Sequence, residues 1–238
     1  MALPPLASDS VTVVLRGQVP IADLSPRWLH DKGLIGDSEL AQAKHLLLLP
    51  GEVNNFSADW LTVTAQSGTL QVSTDREEEF ERLRDVAAGI LAAFPDAPLV
   101  AMGMNRAVHF VAPSREAYHR IGDSLVPKQH WSETLGDAAL KSLTLVGPRA
   151  DSYGGRVEVK IEPSNVFGMA VFVTCNDHYD LTLLDKPIVS RDDLKLDGAA
   201  EEGVEKNLQA LTILNEEWGS SLARSMTIFE QVGALGLP

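Results

Sequence analysis

Two short segments of the sequence hold most of the side chains that are capable of chemistry. One covers residues 103–110 (Gly-Met-Asn-Arg-Ala-Val-His-Phe) and the other covers residues 175–180 (Cys-Asn-Asp-His-Tyr-Asp). Imidazole and carboxylate groups bind several divalent ions, and a histidine oriented by an acid can act as a general base. His178, Asp177 and His109 are therefore the candidate catalytic residues of a metal-dependent or histidine-based hydrolase.

Residue spacing indicates which of these side chains share a face of a β-strand. Alternate residues of a strand point to the same side, so Asn105 lies with His109, and Asn176 lies with His178. If the two strands are neighbours, these four side chains converge on one face, where Asn105 and Asn176 are candidate ligand-binding residues. The alternative is a hydrogen-bonded network that ends a strand and fixes a turn, because Asn-Asp pairs are common in turns.

Arg106 is the third candidate ligand-binding residue. It belongs to an otherwise apolar row of its strand, where an unpaired charge is costly. Its guanidinium either binds a carboxylate or phosphate of a ligand in bidentate fashion, or has a structural role. In the second case it forms an ion pair with a buried acid such as Glu162 or Asp177, or lies in water at an edge of the sheet.

The sequence lacks the motifs that identify common enzyme classes. It has no G-x-S-x-G elbow, no phosphate-binding G-x-x-x-x-G-K-[ST] loop, no G-x-G-x-x-G after a strand, no H-E-x-x-H and no C-x-x-C. Cys175 is the only cysteine, so an intrachain disulfide is excluded, and a strand would turn it away from His178, three residues on. We therefore predict no cofactor, and the residues leave open whether the protein is an enzyme.

Charge and composition limit the kinds of partner that the protein can bind and indicate its cellular compartment. Thirty-three acidic and 20 basic residues give a net charge of -13 over 238 residues, and such a field repels nucleic acid. The segment Met1–Ser10 has neither a basic nor a long apolar region, so it does not read as a signal peptide. No apolar stretch is long enough to span a membrane. We expect a cytoplasmic protein that binds neither nucleic acid nor membrane.

The predicted elements recur in two blocks along the chain. A hairpin (60–74), a helix that ends before Pro95 and a long strand (99–111) are followed by a hairpin, a long strand and a C-terminal helix. We predict an α+β fold with a mixed or mainly antiparallel sheet and two long helices packed on it. The two pseudo-similar lobes are residues 1–132 and 133–238, unless the chain forms one continuous domain.

The C-terminal helix carries the clearest signal of interaction. Apolar residues repeat at intervals of seven in two rows, which is typical of a seam that packs in a coiled coil or on a sheet. Its predicted length exceeds what a small sheet needs to cover it. The candidate interface residues are Leu211, Trp218, Leu222 and Phe229. The alternative is that this seam packs on the helix's own sheet.

Several segments together resemble an uncharacterised family of bacterial hypothetical proteins. They are Pro26-Arg27-Trp28-Leu29, Gly33-Leu34-Ile35, Gly103-Met104-Asn105-Arg106 with His109-Phe110, Pro127-Lys128 with Trp131, Glu162-Pro163-Ser164 and Asn176-Asp177-His178. The resemblance covers most of the chain as far as Thr182. It implies a bacterial cytoplasmic protein, and it implies no activity, cofactor or substrate.

Two hypotheses from different classes follow. The first is a non-enzymatic cytoplasmic protein that acts through protein–protein interaction or assembly and that self-associates, as a homodimer or within a larger complex. The second is the hydrolase with a site around His178, Asp177 and His109.

Overall fold

The computed structural model describes residues 5–20, 23–49, 51–181 and 199–237. Within these residues, nine strands form a single sheet. They are β1 (Leu6–Gly17), β2 (Lys44–Leu49), β3 (Val53–Ala58), β4 (Leu61–Gln66), β5 (Thr69–Thr74), β6 (Leu99–Val111), β7 (Leu143–Pro148), β8 (Gly155–Pro163) and β9 (Ala170–Asp180).

Six α-helices accompany the sheet in the described part of the chain. They are α1 (Pro26–Asp31), α2 (Asp37–Gln42), α3 (Phe80–Ala93), α4 (Arg115–Leu125), α5 (Ser132–Leu135) and α6 (Ala199–Ala234). Two short 3-10 turns lie at Glu77–Glu79 and Lys128–His130.

The strand order is β2-β3-β4-β5-β1-β6-β9-β8-β7, and every neighbouring pair is antiparallel. The predictions of an α+β fold, an antiparallel sheet and a long C-terminal helix are therefore confirmed. The finer prediction of two long helices in two lobes is not confirmed. Helix α3 has 14 residues against 36 in α6, and strands from both halves of the chain join one sheet.

Helices α1, α3, α4 and α6 contribute residues to hydrophobic clusters on one face of this sheet. Strand β1 illustrates the pattern, because Val11, Val13 and Leu15 are fully buried and alternate with the half-buried Thr12 and Val14. Leu83 of α3 and Trp218 of α6 pack into the same cluster as these strand residues. The other face presents polar residues that are partly exposed, including Thr12, Asn105, Thr174 and Asn176. A one-sided core thus follows from the period of two in the strands.

Glu39 ties α2 to the neighbouring elements. Its carboxylate accepts hydrogen bonds from Arg82 Nη2 at 2.6 Å, from Trp60 Nε1 at 3.2 Å and from the Gly36 backbone N–H at 3.2 Å. The hydrogen bond from Arg82 is the main reason that the pKa of Glu39 falls from 4.5 to about 2, although burial opposes this shift. The ionised carboxylate is therefore the form that stabilises the fold.

We predict that Glu39 makes the stability depend on pH below its unfolded pKa. Because the folded pKa is depressed, its contribution of about 2–3 kcal/mol is present above pH 4.5 and is lost as the pH falls towards 2. Denaturant unfolding across this range should show that Glu39→Gln costs most near neutral pH and progressively less towards pH 2. The exposed Glu133→Gln serves as control, and a constant cost of Glu39→Gln at all pH values would contradict this role.

Gly155, at the start of β8, is required by the backbone. Its φ of +126° is disfavoured for other residues, and a Cβ there would lie 2.1 Å from the carbonyl oxygen of His178. We expect Gly155→Ala to lower the free energy of unfolding by more than about 1 kcal/mol. Gly147→Ala is the matched control, since a Cβ at Gly147 meets no atom within 4 Å. Equal unfolding free energies for the two variants would refute this account.

Candidate functional site

Strands β6 and β9 are neighbours, and their register decides which candidate side chains meet. Asn105 lies opposite Asn176, and Gly103 lies opposite His178. A Cβ at Gly103 would lie 3.3 Å from Asn176 Oδ1 and 3.7 Å from Asn105 Oδ1, so the two carboxamides close over this glycine. Neither Oδ1 atom has a hydrogen-bond partner among the described residues. Asn105, Asn176 and His178 thus form a small polar group on the partly exposed face of the sheet.

His109 lies on the same face of the sheet, but it is far from Asn105, Asn176 and His178. It is opposite Phe172, six residues from His178 along β9, which separates the two histidines by about 20 Å. Its Nδ1 is 2.9 Å from Ser164 Oγ, and its ring packs against those of Phe167 and Phe172 at centroid distances of 5.3 and 4.6 Å. Burial lowers the pKa of the His109 imidazole.

Asp177 points to the opposite, helix-covered face and is 1% exposed. Its carboxylate forms an ion pair with Arg224 of α6 and lies 3.6 Å from Arg149 Nη1. Arg149 in turn pairs with Asp151 and stacks on the Tyr179 ring, 3.7 Å from its centroid. We call Arg149, Asp151, Asp177 and Arg224 the buried ion cluster. Its two positive and two negative charges balance, and it fastens α6 and the β7–β8 connection to the sheet.

These placements keep the three candidate catalytic residues apart. Asp177 is sealed on one face while His178 and His109 lie on the other, and His178 Nε2 instead contacts Asp180 Oδ1 at 3.0 Å. Within the described residues, no three His, Cys, Asp or Glu side chains are grouped so that they can hold a metal ion. Burial raises the pKa of the Cys175 thiol to about 12, which disfavours a reactive thiolate. The geometry brings together no catalytic pair among these groups.

Arg106 forms an ion pair with an acid that sequence reasoning did not name. Its Nε and Nη2 donate to the Asp9 carboxylate at 3.0 and 2.6 Å, and its Nη1 donates to the backbone oxygen of Leu222 at 3.2 Å. The acids considered from the sequence were Glu162 and Asp177, neither of which contacts it. Asp9 was missed because β1 begins at Leu6, further towards the N-terminus than its apolar run indicates. With these bonds made, the guanidinium stabilises the core side of β1, β6 and α6.

The apolar seam of α6 packs against other parts of the same molecule. Trp218 and Phe229 are almost fully buried, and Leu211 and Leu222 are partly buried against the larger hydrophobic cluster. Trp218 Nε1 also donates to Glu81 Oε1 of α3 at 3.1 Å. The seven-residue rows therefore pack on the sheet and on α3, which is the alternative that the sequence left open. Among the large apolar side chains that the structure describes in this helix, the most exposed is Leu208, outside the four candidate interface residues.

An exposed apolar surface lies instead on the edge strand β2. Leu46, Leu47, Leu48 and Leu49 are 45–59% exposed, on both faces of the strand. We call these four residues the leucine edge. Sequence reasoning did not identify it, because an apolar run of this length is compatible with a buried strand or with part of a helix. The only signal in the sequence was the run itself, bounded by Lys44 and by Pro50-Gly51.

The opposite edge of the sheet, β7, is less suited to pairing with another chain. Leu145 and Val146 are 52% and 60% exposed, but the strand ends in Gly147-Pro148. Proline has no N–H to donate to a neighbouring strand, and natural edge strands use it to prevent pairing. The β2 edge is therefore better suited than the β7 edge to pairing with a strand of another chain.

Comparison with known proteins adds no functional information. No model of a known protein family matches the chain, and no curated protein matches it significantly. None of the described helices is both long and apolar enough to cross a membrane.

The buried ion cluster makes Asp177 far more important for stability than Asp180, three residues further along β9. Asp177→Asn leaves the buried Arg149 and the partly exposed Arg224 with one carboxylate fewer, so we expect a loss of about 3–5 kcal/mol in unfolding free energy. Asp180→Asn removes only an exposed contact with His178, and little change is expected. Denaturant unfolding of both variants measures the difference, and similar losses in the two would contradict the structural role of Asp177.

Proposed function

We propose that this protein is a non-enzymatic cytoplasmic interaction protein that self-associates through β2. The leucine edge is the observation that supports this proposal. Half-exposed leucines at four consecutive positions of a strand are costly in water, and apolar patches of this kind mark protein-binding surfaces or aggregation sites. A partner that covers them supplies the missing burial.

The backbone of β2 adds to the attraction of its side chains. The strand pairs with β3 on one side only, so its other side presents N–H and C=O groups that no strand of the described chain takes up. Such an edge binds a further strand through main-chain hydrogen bonds, and the side chains provide the specificity. A β-bulge between His45 and Leu47 interrupts the start of the strand, which leaves Leu47–Leu49 in regular pairing geometry.

A second copy of the same chain fits this edge well. Antiparallel pairing of two β2 strands about Leu48 puts Leu47 of each copy opposite Leu49 of the other, so leucine packs on leucine. The pair buries apolar surface about a single two-fold axis, the commonest symmetry of homo-oligomers.

The other surfaces considered support interaction less well than the leucine edge does. The candidate catalytic residues give still weaker support for an enzyme. The seam of α6 is occupied by its own core, and β7 ends in a proline. Asp177 is separated from His178 and His109 by the thickness of the sheet. Self-association through the leucine edge is therefore the function that the geometry supports best.

The test is the oligomeric state of variants in β2. We expect the unmodified protein to be a dimer by light scattering coupled to size-exclusion chromatography, and Leu47→Lys with Leu49→Lys to be a monomer. Lysine on an edge strand is well tolerated by a fold and repels another edge. Circular dichroism should show unchanged secondary structure.

Leu145→Lys on the opposite edge is the matched control, and it should leave the dimer intact. A monomeric unmodified protein would refute self-association. A dimer that persists in the β2 variant, or that is lost only in Leu145→Lys, would show that another surface forms it.

A further inference from the structure

A cavity of about 640 Å³ lies beside His109 on the partly exposed face of the sheet. Its walls include Leu140 and Lys141 from the segment before β7, together with Glu162, Pro163 and Phe172. A volume of this size is in the range of small-molecule sites, which are lined by apolar groups with a few polar groups that orient the ligand. The leucine edge is on β2, at the opposite end of the strand order from β9, β8 and β7. Binding in this cavity is therefore independent of the proposed self-association.

Ser164 determines which nitrogen of His109 carries the proton. The Ser164 hydroxyl oxygen accepts hydrogen bonds from the backbone N–H groups of Val166 and Phe167 at 3.1 and 2.9 Å. Both of its lone pairs are then used, so its own hydrogen is donated to His109 Nδ1 at 2.9 Å. The neutral imidazole therefore carries its hydrogen on Nε2, which donates to no atom of the described residues.

The lowered pKa of His109 fits this neutral form. The two phenylalanine rings on either side bury the imidazole and disfavour its charge. At neutral pH the residue therefore offers the cavity a fixed hydrogen-bond donor, and it offers no base on that side of its ring.

The charges around the cavity favour a single negative group. The Glu162 carboxylate is engaged by Lys160 Nζ at 2.8 Å, which lowers its pKa and balances its charge. Lys141 forms no salt bridge with any described residue. Lys141 and His109 both line the cavity, so a charged donor and a neutral donor lie beside apolar walls at Leu140, Pro163 and Phe172.

We propose that this cavity binds a small monocarboxylate with an apolar body. One carboxylate oxygen accepts the hydrogen bond of His109 Nε2, and the Lys141 ammonium pairs with the same group. The hydrocarbon part lies on Leu140 and Phe172. An anchor for the β8–β9 loop would use only Nδ1 of His109, so the donor on Nε2 is the feature that a ligand explains.

Hexanoate is the probe for this site, and NMR of the ring nitrogens of His109 is the measurement. We expect nitrogen shifts of the Nε2–H tautomer in the unliganded protein, and a saturable change on addition of hexanoate up to about 50 mM. Lys141→Gln should weaken the binding by about two- to fivefold, because an exposed ion pair contributes up to about 1 kcal/mol. Lys141 is exposed, so this variant keeps the fold.

Uncharged hexan-1-ol is the control ligand, and it should bind far more weakly than hexanoate. His109→Phe keeps the aromatic packing and removes the donor, and it should abolish the binding seen by fluorine NMR of a fluorinated hexanoate. The proposal is overturned by an Nδ1–H tautomer, by the absence of a saturable change, by equal binding of hexan-1-ol, or by unchanged affinity in Lys141→Gln. If His109→Phe does not fold, the tautomer of His109 measured by NMR and the affinity of Lys141→Gln for hexanoate still test the proposal.

Discussion

The antiparallel pairing of β6 with β9 is the contact on which the rest of the structure depends. It runs from Ala101 opposite Asp180 to Val111 opposite Ala170, and it joins the strands of the first half of the chain to those of the second. Because residues directly opposite one another share a face, this one register assigns every polar side chain of both strands to a side of the sheet. Asn105, Asn176 and His178 fall on the partly exposed side, and Arg106 and Asp177 fall under α6.

The charged residues on the covered side stabilise the packing of α6 because each one has a partner. Arg106 pairs with Asp9, and Asp177 is held between Arg224 and Arg149. A buried charge is tolerated only when an opposite charge and hydrogen bonds compensate for lost water. Asp177, a catalytic candidate in the sequence, and Arg106, a ligand-binding candidate, thus stabilise the position of α6. Other surfaces of the molecule are therefore better candidates for function.

Two such surfaces lie far apart and differ in chemistry. The leucine edge is apolar and presents unpaired backbone groups, which suits another strand. The cavity beside His109 presents a lysine and an imidazole N–H among apolar walls, which suits a small anion. Neither the four leucines nor His109 belongs to the hydrophobic clusters that hold the helices on the sheet.

The sequence by itself determined the long strands and the faces on which their residues lie. The run from Leu99 to Val111 is the strand predicted, and the separation of Asp177 from His178 follows from alternation alone, because a period of two is a local property of the chain. The cost of an unpaired Arg106 in an apolar row was also evident. Only the tertiary structure decided which acid pairs with it, how far His109 lies from His178, and that β2 stands at an edge. These depend on strand order and register, which are set by contacts between residues far apart in the chain, such as Arg106 and Asp9.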